Sequence, residues 1–150
     1  MNKEKLEKLS HYTILGIALL ALVVSIFETR LQQRHNKLSV KPLLDYSLQQ
    51  NFVDSTLTVN IINRGFGPAI IKEIRFEEDG DTYHSLEDYL LASGEIKNRR
   101  GSFNYQKNAV FSSEDIKLLV VLKGMHIRNV QVQIVFESIY EEQDRFTFSF

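Results

Sequence analysis

The sequence predicts a mainly β protein, with an N-terminal transmembrane helix followed by an Ig-like antiparallel β-sandwich carrying one short helix. Three observations lead there. Residues 12–27 form a run without a single charge, apolar on every side. Beyond it the hydrophobic period changes from helical to two, as half-buried strands require. Seven or eight such runs, set apart by turn signals, fill the remaining ~110 residues, whereas one segment alone reads as a helix of that domain. That is too few helices for a parallel sheet with crossovers. The Ig hallmark of Cys…Trp…Cys is absent, because the chain has no Cys and no Trp, so the likeness is one of architecture.

The apolar run, Tyr12 to Phe27, is ~24 Å long as a helix, against a hydrocarbon core of ~30 Å. Lys8 and Arg30 can snorkel, and His11 and Tyr12 suit the interface, so the effective span is longer. A buried core helix would show a polar stripe, which this run lacks. A cleaved signal peptide needs small residues at its cleavage site, but the run ends Ser25-Ile-Phe-Glu-Thr-Arg30. An uncleaved single-pass helix fits both facts. The division that follows is a membrane anchor and helical stem over 1–37, its bilayer contact made by 12–27, and a sandwich over 38–150. Localisation at the cell membrane is the expectation. Lys3, Lys5 and Lys8 precede the run, while Arg30, Arg34, Lys37 and Lys41 follow it, so the positive-inside count is nearly balanced and leans by one charge to a cytoplasmic C-terminal domain. Ala18, Ala21 and Ser25 form a strip of small side chains, a face for self-association or for a partner helix.

Composition narrows the function classes. Eighteen Lys+Arg against nineteen Asp+Glu give no global attraction to nucleic acid, and none is expected as a partner. Residues 1–40 carry six basic and three acidic side chains, a balance of +3, whereas 41–150 carry twelve and sixteen, a balance of −4. Zero Cys removes disulfides, thiol nucleophiles and thiolate metal sites.

Each element has its own signal. The polar stem Glu28–Asn36 lacks Gly and Pro, so the helix should run on from the membrane and end near Asn36. Val40, Pro42, Leu44, Tyr46 and Leu48 then alternate with polar residues, Leu43 being the exception, and Pro42 predicts an edge strand. Leu57, Val59 and Ile61 mark a second strand. Ala69–Glu78 is a third, with Ile70, Ile74 and Phe76 inward and Lys72 breaking the alternation. Asp79-Gly80 is a two-residue hairpin turn to Asp81–His84. Ser85–Ala92 reads as a short helix capped by Ser85, with Asp88 in a capping-box position. Residues 93–108 show no pattern, and a loop of that length often has a job. Strands resume at 109–111 and at 116–122, where Leu119 and Val121 add a second apolar face and predict a strand covered on both sides. Val130, Val132, Ile134 and Phe136 form one more strand, and Phe146, Phe148 and Phe150 the last.

Arg34-His-Asn-Lys-Leu-Ser-Val-Lys-Pro42, then Asn63-x-Gly-x-Gly-Pro-Ala69, then Glu137-Ser-Ile-Tyr-Glu-Glu142 before a Phe-rich strand, behind an N-terminal helix, resembles a widespread family of small uncharacterised bacterial single-pass membrane proteins. The resemblance spans nearly the whole chain. It implies a bacterial, membrane-anchored protein, and it carries over no catalytic or binding residue.

The candidate sites each have a plainer reading. The turn at Asn63, Gly65, Gly67 and Pro68 could offer backbone N–H groups to an anion, but it joins strand to strand and is not G-x-G-x-x-G. Positive φ at the glycines and a Pro-fixed turn explain it more simply. Acids at Glu77, Glu78, Asp79 and Asp81, and at Glu141, Glu142 and Asp144, could gather Ca²⁺, yet both sets fall at hairpin tips and neither matches an EF-hand. Lys97, Arg99, Arg100 and Lys107, interleaved with Phe103 and Tyr105, are the local basic and aromatic cluster and a candidate interaction surface for phosphate or a partner. His11, His35, His84 and His126 are scattered. No catalytic signature is legible, and neither cofactor nor metal is expected. The expected function is a non-enzymatic, membrane-tethered sandwich that docks a partner protein. The alternative is an anion- or small-molecule-sensing domain, or an enzyme, with its site between the 63–69 turn and the 93–108 loop.

Overall fold

The computed structural model describes residues 3–124 and 129–150, with side chains from residue 10 onward. The chain divides into two compact units, Met1–Leu38 and Ser39–Phe150.

The first unit is one helix, α1 (Lys3–Ser39). Within it, Ser10–Ser39 is long and apolar enough by length and composition to cross a membrane, and none of its apolar window is buried. Ala18, Ala21 and Ser25 are exposed on it; the side chains of Lys3, Lys5 and Lys8 lie outside the described ones. Asn36 does not end the helix. It continues to Ser39 and stops ahead of Pro42, whose ring bars Lys41 from helical geometry.

The second unit is a sandwich of two antiparallel sheets. Its strands are β1 (Leu44–Asn51), β2 (Thr56–Asn63), β3 (Ala69–Glu78), β4 (Asp81–Tyr83), β5 (Arg99–Ser102), β6 (Val110–Phe111), β7 (Ile116–Lys123), β8 (Gln131–Glu137) and β9 (Gln143–Ser149), with the helix α2 (Leu86–Ala92) between β4 and β5. One sheet has the order β1-β2-β7-β5; the other has β4-β3-β8-β9, with β6 also paired to β3. Leu57, Val59, Ile61 and Val120 from the first sheet close against Ile71, Phe76, Val132, Ile134 and Phe136 from the second in one buried cluster. Alternation supplies these residues from one face of each strand. α2 begins as its sequence requires, with Ser85 Oγ accepting from the Asp88 N–H at 3.0 Å. It lays Tyr89 flat against Phe76, ring centres 5.7 Å apart, and so covers one side of the sandwich. On the opposite side Tyr46 of β1 stacks on Phe148 of β9 at 4.5 Å.

The structure departs from the expected strands in four places. β1 is an edge strand, but it starts at Leu44, not Val40; Pro42 and Leu44 are buried while Tyr46 and Leu48 stand at the rim. In β3 the inward residues are Ala69 and Ile71 instead of Ile70, because Lys72 is a bulge: β8 steps from Phe136 opposite Ile71 to Val135 opposite Glu73. In β7 the two neighbours Leu119 and Val120 are both buried because the partner register skips Leu119, so a bulge, not two-sided cover, explains the double apolar face. Finally, residues 93–108 are not a structureless loop. They contain a 3-10 turn, Glu95–Asn98, and the edge strand β5.

Candidate functional site

The 63–69 turn carries the chain from one sheet to the other, and Asn63 organises it. Asn63 is fully buried. Its Oδ1 accepts the N–H groups of Leu43 at 3.2 Å and Gly65 at 3.0 Å. Its Nδ2 donates to the carbonyls of Gly67, Phe111 and Ser112 at 2.8, 3.0 and 3.1 Å. The Arg64 N–H donates to the Leu43 carbonyl at 2.8 Å. The amides of Arg64 and Gly65 are thus already spent within the protein. The glycines are not there for positive φ, which occurs among glycines at Gly80, Gly94 and Gly124. They are there for close approach. A Cβ on Gly65 would lie 2.5 Å from the Lys41 carbonyl oxygen, and one on Gly67 would run into the Val40 carbonyl. The segment 40–43 lies across both glycines. Pro68, half-buried, sits just ahead of β3, where its missing N–H breaks no ladder bond.

The basic and aromatic cluster separates into two places. Arg99 pairs with Leu122 and Gly101 with Val121, which leaves Arg100 as a bulge on the free edge of the sheet. Lys97, Arg99 and Arg100 are exposed there. Tyr105 turns inward along β7 while the Phe103 ring stays open to solvent: the Phe103 N–H donates to the Leu119 carbonyl at 3.2 Å, and Tyr105 Oη donates to the Leu118 carbonyl at 2.6 Å. Leu122 and Leu118 are four residues apart, ~13 Å along the strand, so the two arginines and the two rings do not form one surface. Tyr105 also packs on Phe103 at 5.0 Å and on the buried Phe111 at 4.9 Å. Its phenol is pushed well above the usual range, first by burial and then by the Asp115 carboxylate. It anchors the segment and is no stacking platform.

What the segment does build was invisible as a pattern. Phe103, Tyr105, Val110, Phe111, Ile116 and Leu118, with Ala109 and Lys117, line a cavity of about 260 Å³. Three of its apolar side chains are left open to solvent, Phe103 at 59%, Val110 at 53% and Ile116 at 64%. Lys107 lines the adjoining cavity, of about 330 Å³, which shares Phe103 and Ala109. Neither cavity is lined by a residue of the 63–69 turn. Sequence reasoning flagged Phe103, Tyr105 and Lys107 but missed Val110 and Ile116. Val110 stood on the polar side of its alternation, whereas Ile116 was in phase with Leu118, Val120 and Leu122 and faces out only because the bulge at Leu119 changes the phase.

The titratable groups serve structure. Arg64 holds the Asp45 carboxyl below its ordinary range, helped by the Tyr46 amide. Arg75 does the same for Glu73, and Lys117 for Asp115. Asp144 is lowered first by the Arg145 amide and then by Lys41, 3.1 Å away. His84 Nδ1 lies 3.4 Å from Glu73. His11 and His35 are exposed on α1, and His126 lies outside the described residues. Glu77, Glu78, Asp79 and Asp81 surround the tight turn Asp79-Gly80, where both residues have positive φ, as a type I′ hairpin needs. Among the described residues no three His, Asp or Glu side chains gather as metal ligands. No family model matches the chain, and no curated protein is similar to it.

Proposed function

We propose that this chain is a membrane-anchored, non-enzymatic Ig-like sandwich that docks a partner protein through the groove of Phe103, Val110 and Ile116. The observation that carries the reading is the exposure of these three large apolar side chains around one cavity, in a domain whose other large apolar residues mostly face its core. Contiguous apolar surface of this kind on a folded domain marks an interaction site. The groove has one charged lining residue, Lys117, already paired with Asp115 at 3.1 Å, which suits docking more than chemistry. The carboxyls held below their ordinary range each serve an ion pair or a backbone bond, which fits a binding module better than an acid–base site.

Anchoring by residues 12–27 belongs to the same reading, supported by an apolar helix with no buried window. A cytoplasmic sandwich is supported by four Lys/Arg after the run against three before it. Membership of the family of small bacterial single-pass proteins rests on the resemblance of the segments Arg34–Pro42, Asn63–Ala69 and Glu137–Glu142.

A photo-crosslinking residue at Val110, in the full chain in its own membranes, should give a discrete adduct. Ile116→Asp should cut the yield by about tenfold, as expected for the loss of an interface hot spot. An adduct no stronger than that from the exposed Gln50, or one indifferent to Ile116→Asp, overturns docking at this groove. Carbonate extraction tests the anchor separately: release of the intact chain would defeat it.

A further inference from the structure

A second set of exposed apolar side chains lies at the end of the sandwich where the chain comes in, the end that Ile116 of the groove also reaches through its pairing with Ile62. Phe66, at the crest of the 63–69 turn, is 82% exposed, and Leu43 beside it 60%. Leu43 is their common neighbour in geometry, since its amide bonds Asn63 and its carbonyl accepts from Arg64. Ile139 and Tyr140 are exposed on the turn between β8 and β9. That turn is at the same end, because Glu137, just before it, pairs with Ile70, and Asp144, just after it, pairs with Lys41. Both turns are held rigidly. Asn63 clamps the first, and Ser138 Oγ ties the second by accepting the amides of Tyr140 and Glu142 at 3.2 and 3.3 Å. Apolar and aromatic residues are therefore presented at the tips of stiff turns, where polar residues are the rule.

We propose that this end, through Phe66, Leu43, Ile139 and Tyr140, rests in the interfacial layer of a lipid bilayer. The inference rests on the membrane-anchored reading, in which the chain leaves the apolar run at Phe27 and reaches this end at Val40, with twelve residues between. An aromatic ring with an aliphatic neighbour is the chemistry of the membrane–water boundary.

The chain has no Trp, so single-Trp variants report without background. Full-length Leu19→Trp, Phe66→Trp, Tyr140→Trp and Val53→Trp are reconstituted in phosphatidylcholine vesicles, with and without bromine in the upper acyl chains. Leu19 lies in the apolar run, and Val53, 92% exposed, tips the β1–β2 hairpin at the far end of the sandwich. Burial of ~5–10 Å into the interface should cost Phe66→Trp and Tyr140→Trp about half their emission, with Val53→Trp unchanged. Quenching of Leu19→Trp alone, with the other three alike, overturns the inference and leaves the anchor standing. An unquenched Leu19→Trp removes the anchor and this inference with it.

Discussion

Asn63 closes five hydrogen bonds with one side chain that is itself fully buried. Asn63→Ala would orphan two amides and three carbonyls, and should cost about 3 kcal/mol or more of stability. Asn63→Asp should fare no better, since it keeps the acceptor but turns a second oxygen toward the carbonyls. Gly67→Ala forces a methyl into the Val40 backbone and should cost about 2 kcal/mol. Gly80→Ala, with φ of 94° but open space around it, should cost about 1 kcal/mol from backbone strain alone. Denaturant titration of the full chain in detergent checks this order. Tyr105 makes a pH prediction. Its phenol is raised in the folded state, so its contribution is intact below the unfolded value of 10.0 and declines as pH climbs past it, where the unfolded chain ionises first. The stability gap between the parent and Tyr105→Phe should therefore narrow above that pH. A gap that stays constant would mean that the phenol's burial is not felt.

Among the elements, β5 is the one that sequence periodicity hid. Arg99-Arg-Gly-Ser102 has no apolar alternation to betray it, because it lies on a free edge and is bulged at Arg100. Charge and a bulge are how natural edges refuse a further strand. The double substitution Arg99→Thr with Arg100→Thr should leave the fold intact and promote self-association, seen as rising light scattering with concentration; unchanged scattering would refute that role. β8 was legible because Val132, Ile134 and Phe136 follow a period of two on its one buried face, and β2 because Leu57, Val59 and Ile61 do the same, although its second half is buried on both faces. The bulges at Lys72 and Leu119 were not, since a single inserted residue changes phase without changing composition. The same limit applied to the site. Phe103, Tyr105 and Lys107 stood out as residue types, but Val110 and Ile116 join them only through the crossing of β6 and β7. Arg99 and Arg100 looked like their neighbours until β5 was seen to carry them along the strand.

At the scale of the whole chain, each sheet draws on both halves of the sequence. β2 finds β7 some sixty residues later, and β3 waits for β8 at a similar distance. Non-local pairing of this kind is slow, on the order of milliseconds to seconds for sandwiches. During synthesis, the N-terminal helix and the first three strands emerge before their partners exist. For that interval β2 and β3 show unpaired rims and the future core lies open, next to whatever machinery is handling the hydrophobic N-terminal segment. A nascent chain built this way gains from a chaperone or a slow-codon pause placed before β7. Variants that weaken the early β1–β2 ribbon should therefore lower yield in the cell further than their equilibrium stability accounts for.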